Sequence, residues 1–284
     1  MANLKEIRAR ITSVGSTMQI TSAMKMVSAA KLKRAQDAIT QMRPYANKLS
    51  ELLVNLSSTL DASEGGLYAQ AREVKSILIV AVTSNRGLCG AFNNNVIKAA
   101  KSLAEDYEQA AFVTIGKKAS EYFAKNGYEV IASNDDLYNN LSFANTSVIA
   151  QGLMDHFVEG RYDKVVVVYN QFKNAASQNL MREAYLPVET PADDTATIGD
   201  YIFEPKKEEI VAKLIPKSLK VQLFKAVLDS HASEHGARMT AMHKATDNAG
   251  ELKRELTLTY NKARQAAITG EILEIVGGAE ALNG

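Results

Sequence analysis

Residues 260–281 read YNKARQAAITGEILEIVGGAEA, and residues 20–36, near the other end of the chain, read ITSAMKMVSAAKLKRAQ. Both stretches lack proline, keep helical spacing and are patterned in charge and small residues, so they read as two arms that meet. Working outward along the first arm, apolar residues fall at Leu4, Ile7, Ile11, Val14 and Met18. The phase returns at Leu32, Ala35, Ile39, Met42, Leu49, Leu52 or Leu53, and Leu56. Alternating steps of three and four make a heptad-like seam. Only Pro44 interrupts it, and because Arg43 before it is disfavoured in the α region, a kink or break is expected there. A helix from Asn3 to Leu60 would be about 85 Å long at 1.5 Å per residue. A domain of this size cannot cover such a helix, so it must project and find a partner.

The second arm begins at Lys207 and is weakened at Pro216. Its candidate seam is Leu219, Leu223, Val227, Met239, Met242, Leu252, Leu256, Ala263, Ala267 and Val276. Two terminal arms of similar length bury their seams most economically against each other, as an antiparallel coiled coil. Gly236, Gly250 and Gly270 would each cost up to about 1 kcal/mol in a helix interior, which points to close contact or local give.

Between the arms the period changes. Gly65-Gly66 ends the first arm in a loop, and Ser76 to Val82 is a continuous apolar run with β-branched residues, the signature of a strand buried on both faces. Helices are expected over 93–107, 117–126 and 146–159, strands over 111–116, 128–132 and 164–169, and an edge strand over 182–186. Strands alternating with helices give right-handed βαβ units and a mostly parallel, Rossmann-like sheet. Residues 187–206 read as a loop. The organisation is an N-terminal arm (1–60), an α/β domain (74–206) and a C-terminal arm (207–284).

Composition bounds what this architecture does. The 284 residues are 46% hydrophobic and 23% charged, with a formal charge of +1, an ordinary soluble composition. No apolar run approaches the roughly 20 residues of a membrane span, and the first residues resemble neither a signal nor a transit peptide. Cys89 is the only cysteine, so an internal disulfide is excluded. Residues 1–60 carry nine Lys and Arg against three acidic residues; the bias suits an acidic partner or a solvated basic face. Nucleic acid is disfavoured, because no aromatic interrupts residues 2–44 and no recognition motif appears.

Candidate chemistry is sparse. Asn85-Arg86-Gly87-Leu88-Cys89-Gly90 follows the first strand, where α/β folds bind ligands, yet it matches neither a dinucleotide nor a P-loop pattern. It reads as a small-molecule site or a structural turn. Cys89 as a nucleophile would need a neighbouring base. His231, His235 and Met239 share a helix face, but zinc wants more ligands than the arm supplies, so they read as seam or surface residues. Nothing here looks like an active site.

The motifs taken together resemble the γ subunits of F-type ATP synthases. The resemblance covers the whole chain and rests on Ile20 to Lys31, Arg86 to Gly90, Ala245 to Ala249 and Tyr260 to Ala279. It implies a non-catalytic rotor shaft inside a ring of three α and three β subunits, coupling proton or sodium flow to ATP synthesis. No cofactor and no nucleotide site in the α/β domain are implied. By similarity, Met24, Lys25, Lys31, Arg34, Arg238, Gln265 and Thr269 meet the β subunits, whose moving loops are acidic in that family. Tyr201, Phe203 and Glu204 belong to a foot that meets the ε subunit and the c-ring. The implied location is peripheral, on the cytoplasmic side of a bacterial plasma membrane. Asn85 stands where the family commonly has Asp, so an ion pair with Arg86 is reduced to a hydrogen bond at most. A structural hinge protein and an enzyme built on the α/β domain are the competing readings.

Overall fold

The computed structural model describes residues 4–57, 68, 72–188 and 207–283. Helix α1 spans Leu4–Ser57 and helix α5 spans Lys207–Asn283. Between them run β1 (Ser76–Val82), α2 (Phe92–Glu105), β2 (Gln109–Ile115), α3 (Lys117–Lys125), β3 (Glu129–Ser133), a 3-10 turn (Asp135–Asn139), α4 (Phe143–Val158), β4 (Lys164–Phe172) and β5 (Gln178–Leu186). The Gly65-Gly66 loop, most of the 187–206 loop, and Tyr201, Phe203 and Glu204 lie outside the described residues. By contact the chain divides into two compact units, residues 29–238 and the combination of 1–28 with 239–284.

In the larger unit the sheet order is β3-β2-β1-β4-β5. The first three pairings are parallel and β4–β5 is antiparallel. β1 is central and all seven of its residues are buried, as its uninterrupted apolar run requires. Alternation sorts the strand residues onto two faces. Leu78, Val80 and Val82 pack with Leu153, Met154 and Phe157 of α4 and with Leu219, Leu223 and Val227 of α5. Ile77, Ile79 and Ala81 pack with Val96 and Ala100 of α2 and with Phe123 of α3. On that face Phe112 stacks on Phe123 at 3.9 Å. At the end of β2 only glycine fits: Gly116 has φ +99, and a Cβ there would lie 2.1 Å from the Thr83 carbonyl oxygen.

The edge strand is longer than the sequence suggests, running Gln178–Leu186, because its first half, which has no apolar alternation to mark it, pairs with the Val168–Phe172 end of β4. Tyr169 donates to Glu183 at 2.6 Å across that pair. The expected break at Pro44 does not occur: α1 is helical through it. Pro44 and Thr40 are both exposed, so the Thr40 carbonyl that loses its intrahelical donor faces water, and the hydrogen bond lost is replaced by hydration. Flanking burial holds the two helices together here, with Ala46 and Leu49 of α1 against Val221 of α5 and Arg43 3.4 Å from Asp229.

In the smaller unit the two arms run antiparallel. The Arg8 guanidinium lies over the Tyr260 ring at 5.5 Å, a Cβ at Gly250 would lie 3.9 Å from Met18 Sδ, Thr246 donates to Thr21 at 2.8 Å, and Lys25 Nζ is 3.3 Å from His243 Nδ1. Each pair of numbers totals 267 or 268, which is one fixed antiparallel register. The covered positions of α5 include Met242, Thr246, Ala249, Lys253, Leu256, Tyr260 and Ala263, a regular alternation of four and three, with the small residues Ala241, Ala245 and Gly250 partly covered beside them. Leu252, expected in the seam, is instead 46% exposed. Its neighbour Lys253 takes the position, half-buried, with its Nζ and Cε 3.8 and 3.9 Å from where a Cβ on Gly15 would stand. Ala267 and Val276 are likewise exposed, since the register pairs the start of α1 with residue 264 and leaves α5 beyond it without a partner among the described residues.

Candidate functional site

The order in which the chain adds strands reverses at β1 and β4, which are parallel neighbours with their carboxyl ends side by side and Ala81 paired to Val168. In α/β sheets this switch point opens the ligand crevice. Here helix α5 occupies it. Arg238 donates to the carbonyls of Arg86 at 3.0 Å and Gly87 at 3.3 Å, just past β1. Two residues earlier on the helix, a Cβ on Gly236 would meet the Ala175 backbone at 3.2 Å, just past β4. Arg238 is completed by an ion pair with Glu234, both side chains about nine-tenths buried. Burial pushes the Glu234 carboxyl above its usual range, and the Arg238 guanidinium draws it back only in part.

The loop that follows β1 therefore turns carbonyl oxygens, not N–H groups, toward the crevice, which is the wrong polarity for a phosphate. The structural-turn reading of Asn85 to Gly90 is the one its geometry supports. Ser84 Oγ donates to the Arg86 carbonyl at 2.6 Å, and Asn93 Oδ1 accepts from the Ser84 N–H at 2.9 Å. Cys89 is buried at 2% exposure; burial raises its thiol above the ordinary value, offset in part by the Ser84 hydrogen bond and Arg238, so the sulfur stays protonated. Asn85 does not bond Arg86. Its amide donates to the Asp135 carbonyl at 2.7 Å and accepts from the Lys117 N–H at 3.0 Å, a donor-and-acceptor bridge that an ionised carboxylate could not make.

The remaining site residues expected from sequence fall on the helices. Met24 and Lys25 are half-buried in the smaller unit, where Gln265 and Thr269 are exposed. Lys31 and Arg34 are exposed in the larger unit. Arg238 alone is turned inward, with 7% exposure. The sequence reading passed over the apolar residues that share these surfaces, apart from Val276, which it placed in the seam. Ile20, Met26 and Val27 are exposed by 60%, 65% and 57%, as are Ile268, Ile272, Leu273, Ile275 and Val276 by 49% to 71%. The signal was available: all of them fall off the seam phase or beyond the end of the register.

Comparison with known proteins agrees with this arrangement. The family described as ATP synthase matches residues 3–282. Curated relatives include the ATP synthase gamma chain of Flavobacterium psychrophilum, 64% identical with all of both chains covered, and that of Flavobacterium johnsoniae, 63% identical over the same full extent. Among solved structures, a chain of the Euglena gracilis mitochondrial ATP synthase is similar at a TM-score of 0.71 and 25% identity, covering 98% of this chain and 94% of that one. A chain of the Tetrahymena thermophila central stalk and c-ring is similar at a TM-score of 0.62 and 26% identity, covering 80% and 99%. A Rossmann-like sheet carried between two long terminal helices, with its ligand crevice filled by one of them, is the architecture of a stalk-type subunit of an ATP synthase. The chain belongs to the ATP synthase gamma-chain family.

Proposed function

We propose that the chain is the central shaft of an F-type ATP synthase, turning within a ring of three α and three β subunits. The observation that carries this reading is the far end of α5. The helix runs from residue 264 to Asn283 beyond the register of α1, and five large apolar side chains on it are about half exposed or more. A single helix with so much apolar surface is stable in water only when other molecules enclose it, and a hollow subunit ring encloses a helix on every side.

The contact set on the shaft is Met24, Lys25, Lys31, Arg34, Gln265 and Thr269, with Ile20, Met26 and Val27 beside them. Lys and Arg there face acidic loops of the β subunits. Arg238 acts behind that surface, fixing α5 to the α/β domain so that torque passes between them. The segment with Tyr201, Phe203 and Glu204 meets the ε subunit and the c-ring. Residues 1–60 and 207–284 serve as the shaft, and residues 74–206 as the domain at its base. The subunit itself makes and breaks no bonds. Each shaft angle favours a different combination of nucleotide-site conformations in the ring, and rotation cycles them. Proton flow through the membrane sector drives that rotation. Among the described residues no helix is long and apolar enough to cross a membrane, and the proposed place is peripheral, on the cytoplasmic side of a bacterial plasma membrane.

The test is the native mass of the complex that a tagged chain draws from its own detergent-solubilised membranes. One copy with three α and three β subunits is the expected result. A homodimer lacking them would reduce the arms to a self-association device and refute the shaft.

A further inference from the structure

His231 and His235 stand one turn apart on α5 with their Nε2 atoms 3.1 Å apart and their rings inclined at 78°. The His231 ring is held from outside the helix by Tyr138, stacked at 5.5 Å between centroids with planes 19° apart. Two imidazole nitrogens bound to one ion at about 2.0–2.1 Å, at an angle between octahedral and tetrahedral values, stand roughly 2.9–3.4 Å apart. The observed separation lies within that span. We propose that His231 and His235 form a two-imidazole site for a borderline divalent transition ion, with Zn2+ as the representative case and water in the other coordination positions.

Burial, together with the nearby charges of Lys31 and Arg238, draws His231 down to about 4. Burial, His231 and the same two cations draw His235 to about 3. Binding needs the lone pair of both Nε2 atoms, so the proton that one of them carries in a ring-to-ring hydrogen bond moves to Nδ1 of the same ring. The Glu234 carboxylate between them in sequence, paired with Arg238, supplies part of the counter-charge. Among the described residues no cluster of three His, Cys, Asp or Glu could hold a metal, so the coordination sphere stays open. His235 Nδ1 is buried without a hydrogen-bond partner. With both Nε2 atoms on the metal, its proton lacks the carboxylate or carbonyl that orients most metal-binding imidazoles. This and the two cations set the affinity below that of a three-ligand site and make the ion exchangeable.

The same 3.1 Å separation also describes an N–H···N hydrogen bond between the rings, and the experiment separates the two. The untagged full chain is dialysed against Zn2+ and the bound metal counted, and Cu2+ is added to a second sample for electron paramagnetic resonance. One saturable equivalent of Zn2+ and a copper spectrum split by two nitrogens are expected. His231→Gln and His235→Gln should each weaken Zn2+ binding by at least about tenfold, that is about 1.4 kcal/mol, with an unchanged far-UV circular dichroism spectrum. His243→Gln should leave it intact, although His243 has Asp247 at 3.3 Å on the exposed face. The native-chain copper spectrum needs no variant and so stands even if a substitution unfolds the helix. No saturable equivalent, loss of it only in His243→Gln, or splitting by a single nitrogen would overturn the site.

Discussion

At the scale of single residues, Arg238 concentrates the most energy. Its guanidinium and the Glu234 carboxylate are both removed from water; the guanidinium offsets part of the cost of burying that carboxylate and also donates to the Arg86 and Gly87 carbonyls. Truncation to Arg238→Ala would strand a buried carboxylate and two carbonyls. The expected cost is about 3–5 kcal/mol, read as a lower urea midpoint of the purified chain. Arg238→Lys should recover little, since one ammonium cannot reach the carboxylate and the loop carbonyls in the same geometry. A loss of under about 1 kcal/mol, the scale of an exposed pair, would mean the pair is solvated. The buried imidazoles predict a pH dependence with a definite sign. His231 and His235 titrate near 4 and 3 when folded against about 6.5 when unfolded, so the unfolded chain binds more protons in acid. Their contribution is fully present above about pH 6.5 and is lost as pH falls toward the folded values. In chelator-treated protein the urea midpoint should fall between pH 7 and 5, and His235→Gln should flatten the fall. Glu234 works in the opposite direction, because its raised carboxyl takes up a proton earlier in the folded state. A midpoint that holds constant over that range would count against buried neutral histidines.

At the scale of elements, the glycines of α5 divide by their surroundings. At Gly236 an added methyl would meet the Ala175 backbone at 3.2 Å, whereas at Gly270 nothing lies within 4 Å. Gly270→Ala should therefore raise the helix content and stability of the isolated chain by about 0.5–1 kcal/mol through the entropy of the unfolded state. Gly236→Ala should lower stability, because the β4–β5 turn cannot yield without moving the strands it joins. Thermal melts of the two variants, followed by circular dichroism at 222 nm, give the sign of each directly. The same contrast shows what helix α5 does twice over: near Gly236 it is a core element of the α/β sheet, and near Gly270 it is a helix awaiting a partner.

At the scale of the whole molecule, the proposed shaft converts contact chemistry into rotation, so its surface charges should matter more to coupling than to stability. Lys31 and Arg34 are exposed and Lys25 is half-buried. Lys25→Glu or Arg34→Glu should leave folding and assembly of the complex unchanged within the roughly 1 kcal/mol of exposed charges, yet reduce ATP-driven proton pumping per ATP hydrolysed in inverted vesicles. Pumping at the native ratio in both variants would remove those side chains from the coupling surface.

What the sequence determined by itself were the features carried by local periodicity. The buried run at Ser76 to Val82 is apolar at every position, so it reads as a central strand without knowledge of its neighbours, and the 4–3 spacing of α1 names its own seam. The family could be read as well, since the four motif blocks stand in order along the chain. Tertiary structure decided the rest, because each remaining question concerns residues far apart in sequence. Lys253 replaces Leu252 in the seam because the phase of α5 is set by Gly15 and Thr21 across the coiled coil, some 225 residues away for the Thr21–Thr246 pair. Pro44 leaves α1 unbroken because its exposed side lets water take the missing hydrogen bond. Arg238 turns inward because the carbonyls of a loop 152 residues earlier complete its guanidinium, and no periodicity in α5 encodes that acceptor.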